Sequence, residues 1–289
     1  MTFQEQSEEW IAGLAARKKS PVKPSSLIQF RCFLRKLNPL IGGLPLEEIN
    51  NRTLRELVGK LRGSPKTIQC QLGVVKAVVA SVLDEDGQPV YDRKWNSDFI
   101  DAPQVSKQNQ PAFTSEQIAD ILKRANGTAL FCKVAAGSGM RVGELLALDA
   151  KDFNGRTLKV DKNLSQHGDI GTPKTSNGFR EVDLSVNLAG ELSEYMRGRT
   201  KGFLFTEPRT YSTALNSLHT VLDDLKIPHT GYHAFRRYRI THLGKNKVPN
   251  ELVRFWVGHA KPDVTARYDA VHKDVEFRLA EAERVKEGF

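Results

Sequence analysis

The 289-residue chain reads as a mainly α protein with a small antiparallel β-hairpin or sheet, an α+β fold in two domains. Three observations predict this. Apolar residues recur at three- and four-residue spacing through the first hundred positions, as on amphipathic helices. The stretch DAPQVSKQNQPAF, residues 101–113, is polar, aperiodic and punctuated by Pro103 and Pro111, as a linker is. Beyond it, helical runs mix with a strand–turn–strand pattern. The expected domains are therefore 1–105 and 106–289.

Taken in order, KPSSLIQFRCFLRKL turns Leu27, Phe30, Leu34 and Leu37 inward, with Ser25 or Ser26 as the cap and Arg31, Arg35 and Lys36 on another face. KTIQCQLGVVKAVVASVL lines up Leu72, Val75, Val78, Val79, Val82 and Leu83. After the linker, TSEQIADILKRA and LFCKVAAGSG predict helices, and Leu158–Val160 a short strand. DIGTPK and FREVDL then form a hairpin across TSNG, since Asn177-Gly178 is the strongest hairpin signal in the chain. Helices resume from Ser185. Asn250 caps a helix over 251–257, Gly258 ends it, and Pro262-Asp263 opens the helix that carries Tyr268. The final DVEFRLAEAERVKEGF offers Val275, Leu279 and Ala282, which suit packing in cis and docking on a neighbouring protomer equally.

Composition narrows the function. No run of 18 apolar residues is present, so no membrane helix is expected. MTFQEQSEEW lacks the apolar core of a secretory signal. Cys32, Cys70 and Cys132 form no CxxC pair, which fits buried free thiols in a reducing cytoplasm. The net charge of +9 is unevenly spread: between residues 17 and 76, thirteen Lys and Arg face only Glu47, Glu48 and Glu56, a net of +10. The remainder of the chain is close to neutral. Such a basic segment suits a polyanion partner, or equally a solvated helical face.

Several polar residues then ask for a reason. In GSGMRVGELLAL, Arg141 begins a buried helix and Glu144 follows one turn on, giving either an ordinary ion pair or an oriented anion clamp. The GSG turn lacks the Lys-Ser/Thr of a phosphate loop. Lys174 stands near the hairpin tip, where lysines are usually solvated. In TGYHAFRRYRITHL, His233 and Arg236 lie one turn apart on the buried side, and a phosphate would satisfy both. His229 and His233 have metal-ligand spacing but no third ligand, so no metal is expected. His259 occupies the elbow between two helices.

In this order Arg141, Lys174, His233-x-x-Arg236, Gly258-His259 and Tyr268 resemble the active-site series of the tyrosine recombinases, the phage integrase family. The motifs are SGMRVGELLAL, PKTSNGFREV, HAFRR and VGHAKPDVTARY, spread over roughly residues 112–275. Arg237 stands where that family often has histidine, and Trp256-Val257 where it has smaller aliphatics.

The resemblance implies a C-shaped clamp on duplex DNA, built from a helical core-binding (SAM-like) domain and a mixed catalytic domain. Its chemistry is a 3′-phosphotyrosine formed by Tyr268. Arg141 and Arg236 would clamp the non-bridging phosphate oxygens, and His233 would manage the tyrosine proton. Lys174 would protonate the leaving 5′ oxygen, His259 would hydrogen-bond the phosphate, and Glu144 would orient Arg141. No cofactor and no metal are implied. The DNA contacts expected are Lys18, Lys19, Lys23, Arg31, Arg35, Lys66, Lys76 and Arg237. The implied partners are double-stranded DNA with inverted-repeat core sites and three further copies of the chain, joined in a homo-tetramer at a Holliday junction. Accessory directionality or bending proteins are optional partners, no membrane is involved, and the setting is cytoplasmic. Two rivals share the residues: a type IB topoisomerase, which relaxes any supercoiled DNA, and a regulator that binds DNA without cutting it.

Overall fold

The computed structural model describes residues 1–106, 110–173, 176–259 and 271–289, and the chain divides into two compact units, Met1–Gln108 and Asn109–Phe289. In the first, α1 (Phe3–Ala15) opens on a capping box in which Thr2 and Glu5 satisfy each other's backbone amides. Helix α2 (Pro24–Ile41) begins on a proline, whose missing N–H suits the first helical position. Its cap is therefore Lys23, and neither Ser25 nor Ser26 serves. Asn50 caps α3 (Asn51–Lys60), Ser64 caps α4 (Pro65–Val79), and the short α5 (Ser97–Ile100) closes the unit.

The core of this unit gathers Phe3, Leu37, Leu46, Leu57, Val75 and Val78. Helix α4 ends four residues before its apolar stripe does. The Ser81 hydroxyl donates to the Val78 carbonyl at 2.7 Å and takes the acceptor a continuing turn would need. Leu83 is consequently exposed, and Val82 only packs at the edge of the core.

The second unit begins with α6 (Ser115–Arg124), α7 (Ala129–Ser138) and α8 (Val142–Leu146). Short strands follow: β1 (Thr157–Val160), β2 (Asn163–Leu164), β3 (Ile170–Gly171) and β4 (Arg180–Asp183). Then come α9 (Val186–Met196), α10 (Tyr211–Asp224), α11 (His233–Lys245), α12 (Asn250–Val257) and α13 (Val275–Val285). Helices α7 and α11 pack together over a core that includes Phe131, Leu145, Leu192, Phe235 and Trp256. No helix among the described residues is long and apolar enough to cross a membrane. Cys132 is buried, whereas Cys32 and Cys70 are half-buried, and all three are free thiols.

The expected pairing of DIGTPK with FREVDL across Asn177-Gly178 does not form. β4 pairs antiparallel with β1, Arg180 opposite Val160 and Asp183 opposite Thr157, while β3 pairs with β2. A two-residue Asn-Gly turn needs positive φ at both positions, which Gly178 does not adopt; Ser176–Gly178 forms a 3-10 turn instead. Pro173 also has no N–H for a ladder. The tight turn is built at Gly168 (φ 92°), where the Ser165 amide donates to the Asp169 carbonyl at 2.8 Å.

The tail packs in cis, on a different face from the one expected. Arg278, Ala282 and Val285 are buried, Leu279 is half-buried, and Val275 is 50% exposed. The cause is Asp183, a buried carboxylate that accepts from Arg278 Nε at 2.9 Å, Arg278 Nη2 at 3.1 Å, Trp256 Nε1 at 2.7 Å and Thr157 Oγ1 at 3.0 Å. A charge so deep needs its counter-ion, and this fixes which helix face turns inward.

Candidate functional site

The site is assembled at three helix ends. Helix α7 stops at Gly139, whose φ of 65° suits glycine; an added Cβ would lie 3.2 Å from Arg239 Cγ. The reversal leaves the Gly139 carbonyl accepting from Arg236 Nη1 of α11 at 2.9 Å. Two residues on, Arg141 occupies the N-cap of α8, and Glu144 reaches back to it. Glu144 accepts from the Arg141 amide at 2.9 Å through Oε2 and from Arg141 Nη1 at 2.9 Å through Oε1.

Arg180 of β4 meets the same carboxylate from another side, Nη2 to Oε2 at 2.8 Å and Nη1 to Oε1 at 3.2 Å. Its Nε donates to the Trp256 carbonyl at 2.7 Å, and Arg236 Nη2 donates to the Val257 carbonyl at 2.5 Å. These bonds gather the last carbonyls of α12, the ones a helix leaves without amide partners. Gly258 then turns the chain at φ 67°, where a Cβ would meet the Asn177 carbonyl at 2.9 Å, and His259 follows. Asn177 Nδ2 donates to the His259 carbonyl at 3.3 Å.

The result is an electropositive cradle. The guanidiniums of Arg141, Arg180 and Arg236 surround the carboxylate of Glu144, with the His233 and His259 imidazoles alongside. Burial pushes the Glu144 carboxyl up, but the bonds and charges of Arg180 and Arg141 outweigh it and hold the group below its usual range. Burial and the neighbouring Arg141 bring Arg236 down to about 9. Desolvation, then nearby guanidiniums, lowers both imidazoles: Arg236, Arg237 and Arg141 act on His233, and Arg236, Arg141 and Arg180 on His259. A net positive pocket that keeps its histidines neutral is suited to a compact anion, which would neutralise the cradle and favour protonation of both rings.

Five of the expected residues thus come together: Arg141, Glu144, His233, Arg236 and His259. His233 differs from expectation in being exposed: it is the first residue of α11, and the residues that turn inward are Ala234, Phe235, Arg236, Tyr238, Arg239 and Leu243. Lys174 and Tyr268 lie outside the described residues. Arg237 is engaged elsewhere, donating to the Pro111 carbonyl and to Gln110 Oε1. In the first unit Lys18, Lys19, Lys23, Arg31, Arg35 and Lys66 are exposed, while Lys76 is half-buried with its ammonium 5.6 Å from the Trp95 ring centre. Arg180 was missed by sequence reasoning. The signal was available: strand alternation puts it on the face of Val182, an apolar position, where a charge needs an explanation. Among the described residues no group of three His, Cys, Asp or Glu is arranged to hold a metal ion.

Comparison with known proteins gives this geometry a family. Residues 111–274 match the phage integrase family. A probable integrase of prophage ps2 from Lactococcus lactis subsp. lactis (strain IL1403) is 27% identical over 169 residues, 49% of this chain. That match spans only 44% of the relative's own length. The Tn1549 transposon integrase in complex with transposon right end DNA has the same fold, with a TM-score of 0.74 at 20% identity over 98% of this chain and 99% of that one. A lambda integrase dimer bound to a COC′ core site gives 0.66 at 17% identity, covering 96% and 95%. A lambda integrase tetramer bound to a Holliday junction gives 0.68 at 14% identity, covering 90% and 78%. With the family match running over more than half its length and across the whole arginine cradle, the chain belongs to the phage integrase family.

Proposed function

We propose that this chain is a site-specific DNA recombinase that cuts and rejoins duplex DNA through a 3′-phosphotyrosine. The observation that carries the reading is the cradle of Arg141, Arg180 and Arg236 around Glu144, flanked by two neutral histidines, inside the family match. The related integrases of known structure are described on transposon-end DNA, a core site and a Holliday junction, which supports DNA as the substrate.

Arg141 and Arg236 bind the non-bridging oxygens of the scissile phosphate and offset the charge that grows in the pentacoordinate transition state. Tyr268 Oη attacks phosphorus while its proton passes to His233, which is neutral and so able to accept it. The bond to the 5′ oxygen breaks, and Lys174 supplies the proton that makes it a hydroxyl. His259 hydrogen-bonds the phosphate from the elbow after α12. Reversal, with a second strand's 5′ hydroxyl as nucleophile, rejoins the DNA and releases Tyr268. Residues 1–105 form the core-binding domain and 106–289 the catalytic domain; together they clamp the duplex, four protomers acting on paired inverted-repeat sites. Accessory proteins that bend DNA or set direction would act outside this chemistry.

The test separates binding from chemistry. Wild type, Arg141→Ala and Arg236→Ala are incubated with sheared genomic DNA, and covalent adducts are trapped with denaturant. Each alanine variant should lose adducts by about 100-fold or more while keeping its DNA affinity within about threefold. Equal loss of binding and cleavage would contradict the clamp.

A further inference from the structure

The mechanism leaves one buried cation of the site unused. The side chain of Arg180 is only 1% exposed, too deep to touch a duplex. Its strand neighbours on the inward side, Val182 and Leu184, are apolar, and a hydrophobic residue would fill the place without the cost of burying a charge. Arg180 instead binds both oxygens of Glu144, the Trp256 carbonyl and the Gly178 carbonyl.

These bonds join the two halves of the cradle. Glu144 is the carboxylate that holds Arg141, a side chain still about one-third exposed (32%) and the one nearest to solvent. The Arg141 amide and one of its Nη atoms hold the carboxylate from one side only; the second planar fork holds both oxygens from the other and fixes it. The Trp256 carbonyl lies in the last turn of α12, two residues before Gly258, so the same guanidinium anchors the elbow that leads to His259. We propose that Arg180 is the positioning residue of the phosphate site, acting through Glu144 on the Arg141 guanidinium and through the Trp256 carbonyl on His259. The inference rests on the recombinase reading above.

The test compares wild type, Arg180→Lys, Arg180→Met, Arg141→Ala and the Arg141→Ala/Arg180→Met double variant. The probe is a nicked duplex carrying the sequence recovered from wild-type adducts, and adduct rate and DNA affinity are measured together. Arg180→Met should slow adduct formation about 100-fold with affinity within about threefold, and Arg180→Lys, which keeps the charge but loses the fork, about tenfold. On the Arg141→Ala background, Arg180→Met should cost only about tenfold more, since the part of its role exerted through Arg141 is already lost and only the part exerted on His259 remains.

A pH profile supplies a readout that a merely structural role would not move. In Arg180→Met, burial is no longer outweighed at Glu144, which still faces Arg141 on its own helix and Arg236 and His233 on α11. Its carboxyl should then protonate above its ordinary 4.5 and release Arg141. To the acid limb that His233 protonation gives every variant, this adds a second, steeper loss that wild type lacks. The Glu144→Gln/Arg180→Met variant removes both buried charges together, so it should fold even if Arg180→Met does not, and it should show only the His233 limb without the second loss. Penalties that multiply independently with Arg141→Ala, or a second acid-side loss that persists in the paired variant, would overturn the inference while leaving the recombinase reading intact. A wild type that forms no adduct would overturn both.

Discussion

Arg236 and His259 show how single residues are set by the chain around them for the roles proposed for them. Arg236 spends two donors on the carbonyls of Gly139 and Val257, so its plane is fixed before any ligand arrives. Such preorganisation is what charge stabilisation in a transition state requires. His233 and His259 should therefore titrate below the ordinary 6.5 in NMR experiments, and Arg236→Ala should move both midpoints upward. Unchanged midpoints in that variant would contradict the electrostatic coupling. The sign carries over to stability. A folded state that resists protonating two histidines loses stability as pH falls below the ordinary histidine value, and loses none above it. Arg141, Glu144, Arg236 and His259 were legible in the sequence because local spacing, one helical turn or one glycine elbow, places them. Arg180 was not, because its partners Glu144 and Trp256 are 36 and 76 residues away.

At the scale of elements, helices followed from apolar period, while strand pairing and some caps did not: Lys23 and Pro249 hold the N-cap positions of α2 and α12, where Ser25 or Ser26 and Asn250 were expected. Asn177-Gly178 is a strong local hairpin signal, yet β4 joins β1 across 20 residues because its inward Val182, Arg180 and Asp183 each have a buried partner there. The Asp183 node also decides how α13 docks, with Arg278 as its counter-ion. Asp183→Ala should destabilise the second unit by about 1–3 kcal/mol, since it leaves Trp256 Nε1 and Thr157 Oγ1 without their acceptor while Arg278 keeps Glu181 at 2.7 Å. The measurement is the urea midpoint followed by far-UV circular dichroism. A loss below about 1 kcal/mol would mean that Asp183 is not what anchors the tail. The tail's expected face was misplaced for the same reason: apolar periodicity alone gave no weight to Arg278.

For the whole molecule, the division of charge is the guide to affinity. The net +10 between residues 17 and 76 lies largely on the first unit's exposed side chains, among them Lys18, Lys19, Arg31, Arg35 and Lys66. Replacing Lys18, Lys19 and Lys66 by glutamine should flatten the plot of log affinity against log salt by about 0.9 for each phosphate no longer neutralised, with the fold unchanged. An unaltered slope would move the DNA-binding surface elsewhere. The central claim, that Tyr268 carries the chemistry, is tested by expressing wild type and Tyr268→Phe in cells, trapping denaturant-resistant protein–DNA adducts and sequencing the attached DNA. The account predicts adducts in wild type alone, clustered at one inverted-repeat sequence. Adducts formed equally by Tyr268→Phe would contradict it, and wild-type adducts scattered without sequence preference would favour a topoisomerase instead.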